Sequence, residues 1–188
     1  MIKMTIEELE SAVKTCDKCG LYRSRKNCVT GGGNIASKIM LIGESPGEQE
    51  DIQGKVFVGP SGKLLDKMLA SVGLDRTKVY ICNILKCRPP KNRNPKPEEE
   101  NACMDFLRRQ FLIMRPKIIL LLGSVACKAI LDKDFSVMKS HGEVVEKKGV
   151  RFIPTFHPSA LLRDPSKKIL AWNDLKILKK LIEELNIA

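Results

Sequence analysis

Aromatic side chains are scarce in this chain: six Phe, two Tyr and one Trp make up 5% of its 188 residues. Few residues could therefore stack on a planar ligand, and an aromatic beside a polar motif carries unusual weight. Histidine is scarcer still, and only His141 and His157 can supply an imidazole. No apolar run approaches the roughly 20 residues that a membrane-spanning helix needs. The opening Met1-Ile2-Lys3-Met4-Thr5 lacks the apolar stretch of an export signal. These absences predict a cytoplasmic chain with no membrane partner, in a compartment where thiols stay reduced. No low-complexity tract, internal repeat or linker interrupts the sequence, so residues 1–188 are read as a single domain and the chain as a monomer.

What the chain has in excess is positive charge. Its 33 Lys and Arg outnumber 22 Asp and Glu, leaving a net charge of +11, and its isoelectric point is about 9.4. An excess of that size favours a polyanionic partner, of which nucleic acid is the commonest. With 43% hydrophobic and 29% charged residues, the composition is that of a globular domain.

Four short apolar runs, residues 38–43, 79–83, 117–123 and 151–156, are rich in Ile, Leu and Val without alternation. Such runs predict strands covered on both faces, as in a parallel sheet. Helical patterns fill the gaps. Thr5 and Glu8 form a capping box at the start of a first helix. Apolar residues at helical spacing mark residues 62–72, and Pro97 followed by three glutamates opens another helix at its positive end. Residues 124–131 and 167–185 complete the set. Strands alternating with helices predict an α/β fold, a three-layer α/β/α sandwich with a central, mostly parallel four-stranded sheet. Ligands of open sheets bind beyond the carboxyl ends of the strands. Here those ends carry Gly43-Glu44-Ser45-Pro46-Gly47, Asn83, Gly123-Ser124 and His157-Pro158-Ser159.

Of seven cysteines, Cys16 and Cys19 form a Cys-x-x-Cys pair, Cys87 follows the second strand, and Cys103 lies in the helix after it. Four thiolates can hold either a structural zinc or a [4Fe–4S] cluster, and spacing alone does not choose between them. The second pair is not Cys-x-x-Cys, which weakens a zinc-ribbon reading. Cys82 and Cys127 sit among apolar neighbours and are read as core. Cys28 has no partner at ligand spacing and is left out, and His141 is assigned no role.

The glycine- and acid-rich run 43–51 leads into Phe57-Val58-Gly59-Pro60-Ser61-Gly62. Later come Cys82-Asn83-Ile84-Leu85-Lys86-Cys87-Arg88-Pro89-Pro90, Asn92-Arg93-Asn94-Pro95 and His157-Pro158-Ser159-Ala160-Leu161-Leu162-Arg163. In this order and with the four cysteines, these motifs resemble the family 4 (iron–sulfur, thermophile-type) uracil-DNA glycosylases. The resemblance runs from about Cys16 to Asp174, and it is what tips the metal reading to a [4Fe–4S] cofactor on Cys16, Cys19, Cys87 and Cys103. One departure is Ser45, where the family more often has Ala in Gly-Glu-Ala-Pro-Gly.

The resemblance implies hydrolysis of the N-glycosidic bond of uracil in DNA, with the base flipped into a pocket. Phe57 would stack on the base, beside Gly43 and Ser45. Asn83, with an amide donor and acceptor, would match uracil O4 and N3–H, whereas cytosine presents the opposite pattern. His157 would donate to uracil O2 as charge develops. Glu44 would orient the hydrolytic water, Glu50 would exclude the thymine methyl group, and Asp51 is an alternative to either. Leu161 or Leu162 would wedge into the gap left in the stack. Lys86, Arg88, Lys91, Arg93 and Arg163 would contact phosphates. The alternatives are excision of another deaminated base, such as hypoxanthine, on the same scaffold, and a non-catalytic cluster-bearing DNA-binding module.

Overall fold

The computed structural model describes residues 4–187. Met1, Ile2 and Lys3, on which part of the reading of the opening residues rests, lie outside them. The chain begins with α1 (Ile6–Lys14), whose capping box is formed: Thr5 N–H donates to Glu8 Oε2 at 2.7 Å, and Glu8 N–H to Thr5 Oγ1 at 3.3 Å. Six strands follow in one sheet, β1 (Gly32–Gly33), β2 (Ile39–Gly43), β3 (Tyr80–Asn83), β4 (Ile118–Leu122), β5 (Val145–Lys147) and β6 (Val150–Thr155), ordered β1-β3-β2-β4-β6-β5. The four expected strands are its parallel core, β3-β2-β4-β6. Every residue of β2, β3 and β4 is buried, which is why they read as unbroken apolar runs.

The expectation of four strands needs one correction. Two short antiparallel strands, β1 and β5, close the edges. β1 is two glycines, and β5 is three partly or fully exposed residues, so neither carries the burial pattern that marks a strand in sequence. Pro154 falls past the last β5–β6 pair, where β6 has a strand partner on one side only and a missing N–H costs little.

Helices surround the sheet: α2 (Glu48–Gln53), α3 (Pro60–Ala70), α4 (Pro97–Met114), α5 (Ser124–Ile130), α6 (Val137–Ser140), α7 (Pro158–Arg163) and α8 (Lys168–Glu184). The chain steps from β2 outward to β3 and then crosses back to β4. Right-handed crossovers in opposite directions set α3 and α4 on opposite faces, and α8 packs beside α3. The same reversal opens a crevice at the carboxyl ends of the strands. α2, α6 and α7 are too short to show a helical period in sequence. Among the described residues, no helix is long and apolar enough to cross a membrane.

Candidate active site

Parallel pairing sets Gly43, the last residue of β2, directly beside Asn83, the last residue of β3. Side chains at a strand end leave the ladder and can face the crevice. Asn83 does so while only 1% exposed. Its Oδ1 is the one buried side-chain polar atom among the described residues without a hydrogen-bond partner. Leaving such an acceptor unpaired costs about 1–3 kcal/mol, so an orphan aimed into a cleft marks where a ligand donor belongs. Gly43 makes room for it: a Cβ there would lie 2.5 Å from Asn83 Oδ1 and 2.9 Å from the Phe57 ring.

Phe57 is 5% exposed and sits in the left-handed region at φ 50°, a conformation costly for a bulky residue. Its surroundings hold it there. The Arg76 guanidinium donates to the Phe57 carbonyl and, at 2.9 Å, to the Val56 carbonyl, while Asp66 pairs with Arg76 at 2.7 Å. A Cβ at Gly62 would meet the Phe57 carbonyl oxygen at 1.8 Å, so α3 can begin against this bend only with glycine there.

His157 follows β6 and caps α7. Its ring lies 5.7 Å from that of Phe57, centroid to centroid. The Ser159 backbone N–H donates to His157 Nδ1 at 3.1 Å, and Ser159 Oγ lies 2.8 Å from the same atom. With Nδ1 accepting, a neutral ring carries its proton on Nε2. Burial pushes the imidazole down to about 4, helped by the Arg163 charge and opposed by Glu50. At neutral pH His157 is therefore an uncharged Nε2–H donor.

Phe57, Asn83, His157, Glu44, Ser45 and Glu50 all line one cleft of about 670 Å³. The three acids differ sharply. Burial and the Glu100 charge raise the Glu44 carboxyl, Arg163 opposes them, and no hydrogen bond acts on it. Glu50 is consumed by backbone: its Oε1 accepts from Val58 and Gly59 N–H, both at 2.7 Å, and its Oε2 from Gly47 N–H at 3.1 Å. It braces the loop that carries Phe57 and still lines the cleft. Asp51 accepts from Lys26 and Asn27 N–H at 2.9 and 3.2 Å and does not line the cleft, so it is no alternative to Glu44.

The residues expected on phosphates divide in the same way. Arg163 is exposed at the rim of the cleft, and Lys91 is exposed on its turn. Arg88 donates to Asn92 Oδ1 at 2.7 Å, with Glu48 at 3.4 Å. Arg93 is committed to Glu99 through two bonds of 2.6 and 2.8 Å, which makes it a clamp on the start of α4. Lys86 is a correction outright: it is 1% exposed and reaches no solvent. Leu161 is likewise 1% exposed and packs in the core, whereas Leu162 beside it is 45% exposed. The sequence reading missed Lys128 and Lys167, two cations that also line the cleft. Neither stands in a motif, and only the packing of α5 and the turn before α8 brings them there.

A second site lies on the α1 side of the molecule. Cys16, Cys19, Cys87 and Cys103 line one small apolar cavity with Leu85 and Phe106. Two donors point at its sulfurs: Arg25 Nη1 to Cys87 Sγ at 3.2 Å and Lys86 N–H to Cys103 Sγ at 3.3 Å. Burial pushes the Cys87 thiol up to about 11, against Arg25. Among the described residues, no three His, Cys, Asp or Glu side chains close on a single-ion site. Cys28 packs against the same cluster of residues, though it does not line the cavity. Cys82 and Cys127 are in the main core.

The fold and cleft are of the class that the Uracil DNA glycosylase superfamily defines, whose family model matches residues 30–182. Three relatives named type-4 uracil-DNA glycosylase are similar over nearly the whole chain. The Thermotoga maritima protein is 42% identical over 95% of this chain and 95% of its own. Those of Archaeoglobus fulgidus and Sulfurisphaera tokodaii are each 40% identical over 94% of this chain, and over 93% and 84% of their own. The chain belongs to the type-4 uracil-DNA glycosylase family.

The lowered histidine gives a test. Between about pH 4 and the unfolded value near 6.5, the unfolded chain binds this proton and the folded chain does not. The ring's contribution to stability is therefore whole above 6.5 and is lost as pH falls towards 4. Ring nitrogen resonances of His157 are expected to report a neutral Nε2–H tautomer throughout pH 7 to 5.5. Titration of that ring with a midpoint near 6.5 would contradict its environment.

Proposed function

We propose that the protein hydrolyses the N-glycosidic bond of uracil in DNA, leaving an abasic site for base-excision repair. The observation that carries the reading is the unpaired Asn83 Oδ1, buried at the floor of a cleft and awaiting a donor. Uracil N3–H is such a donor, and uracil O4 accepts from the same amide's Nδ2–H. Cytosine offers an acceptor at N3 and a donor at N4, and would leave both partners frustrated. Sites that desolvate unmatched polar groups discriminate steeply.

The flipped base enters the cleft at an unstacking cost of a few kcal/mol. Phe57 stacks on its face, and Gly43 allows the close approach. As the C1′–N1 bond stretches, its electron pair moves into the base and charge grows on O2. The His157 Nε2–H donates to that oxygen, and a preorganised donor of this kind is worth ~2.7–4 kcal/mol. A neutral ring suits the task, because it strengthens its hydrogen bond as charge grows and need not give up a proton. Glu44 orients the water that attacks C1′ and takes its proton, with Ser45 beside it. Burial raises its carboxyl and so makes the ionised form more basic. Leu162 fills the gap left in the stack, and Arg163, Arg88, Lys91, Lys128 and Lys167 meet phosphates. The net charge of +11 supports DNA as the partner.

Cys16, Cys19, Cys87 and Cys103 fit a [4Fe–4S] cluster, being four thiols around one apolar cavity with N–H groups aimed at two of the sulfurs. Such a group supplies a cross-link between the N-terminal segment and α4. The protein works as a single-domain monomer in the cytoplasm.

Three outcomes are expected. In a uracil-containing oligonucleotide assayed by alkaline cleavage of abasic sites, the parent releases uracil and His157→Ala loses turnover by about 10²–10³-fold. Hypoxanthine and xanthine substrates run in parallel test the neighbouring chemistry, and release of those bases but not uracil would overturn the assignment. Asn83→Asp shifts preference towards cytosine, since a carboxylate oxygen accepts from N4–H₂, and an unchanged base preference would remove Asn83 from recognition. Purified protein is brown and carries four irons per chain for a [4Fe–4S] group; colourless protein holding one zinc would reverse the choice of metal.

A further inference from the structure

Lys86 is an ammonium buried to 1% exposure, whereas the other Lys and Arg among the described residues are partly or fully exposed. Burying a charge costs several kcal/mol unless the surroundings compensate it, and apolar replacements of buried charges are often neutral or stabilising. No acid pairs with Lys86 among the ion pairs of the described residues. Its Nζ instead donates to the Asn83 carbonyl at 2.7 Å and to Gln110 Oε1 at 2.6 Å. Gln110, 0% exposed on α4, is fixed in turn by donating to the Thr30 carbonyl at 2.8 Å and to Tyr80 Oη at 2.9 Å. Every donor and acceptor of the Gln110 amide is thereby used, so this network has one arrangement.

The geometry points to Lys86 as a positioning residue for base recognition, resting on the reading of Asn83 given above. Asn83 is the last residue of β3. The next two residues continue along β2, Ile84 N–H donating to the Gly43 carbonyl and Leu85 N–H to the Glu44 carbonyl, both at 3.0 Å. Lys86 then folds back. Its side chain grips the Asn83 carbonyl while its own N–H reaches Cys103 Sγ at 3.3 Å. One residue thus ties the peptide of Asn83 to α4 and to the four-cysteine site. The turn from 83 to 86 is closed by the ammonium, which holds the backbone from which the Asn83 side chain enters the cleft. A positive charge also stands behind the residue that contacts the departing base.

The test compares Lys86→Met with the parent as full-length, metal-loaded protein. Lys86→Met is expected to lose about tenfold or more in kcat/KM on a uracil oligonucleotide, mainly through kcat, because small misplacements of a recognition group are costly. Inhibition by free uracil, a probe with no phosphate, should weaken by a similar factor. Affinity for undamaged DNA, its salt dependence and the iron content should stay at parent values. A surface phosphate contact would behave oppositely, with a salt slope lower by about 0.9 and unaltered uracil inhibition, and that result overturns the proposal. A purely structural lysine would lower the melting temperature while leaving kcat and uracil inhibition of the folded fraction unchanged, which also overturns it. Should Lys86→Met not fold, Gln110→Met decides: it leaves the lysine on Asn83 but frees its tether to α4, and parent-like uracil inhibition there rejects the assignment. A parent that releases no uracil at all defeats the reading of function itself, a different result from an active parent with an equally active variant.

Discussion

The pairing of Gly43 with Asn83 at the carboxyl ends of two parallel strands is the constraint on which the site depends. It buries an amide at the edge of the ladder, where no backbone group remains to satisfy it. The absence of a Cβ on Gly43 keeps both the amide oxygen and the Phe57 ring close against the strand. The sheet is thus ordered up to its last pair and leaves unspent polarity on a side chain of that pair. A site built there inherits the precision of the core, where Ile42, Cys82 and Leu121 are essentially inaccessible.

Around that pair the molecule opposes burial to charge. The imidazole is held neutral by burial, the Glu44 carboxyl is raised by burial, and Arg163 acts on both from the rim. Glu50 opposes the lowering of the imidazole, while three backbone N–H groups occupy its oxygens. It holds the strained turn at Phe57 together with Arg76. A side chain that a motif would assign to chemistry thereby acts on the shape of the loop.

Asn83 and Cys87 are four positions apart in the chain, yet they serve two different sites. The short segment between them carries hydrogen bonds to β2 on one side and to Cys103 on the other. This closeness gives α4 a connection to the cleft through Lys86.

Much was legible in the residues alone. Unbroken apolar runs located the four core strands, because strands covered on both faces have no polar alternation to confuse them. The Thr5–Glu8 box and the Pro97 start of α4 read correctly because capping is local chemistry. The strand-end motifs lie together at the carboxyl edge of the sheet, where the cleft opens. What the sequence could not determine was which way each side chain faces. Lys86 is buried and Lys91 exposed within one basic loop, and Leu161 is core while Leu162 is open, only because α4 and α7 pack as they do. Asp51 and Arg93 were bound by partners 25 and 6 residues away, and the glycine strand β1 exists only through pairing with β3. Local pattern determined the elements and the residues at their ends; burial, a property of contacts between elements, was decided by the tertiary structure.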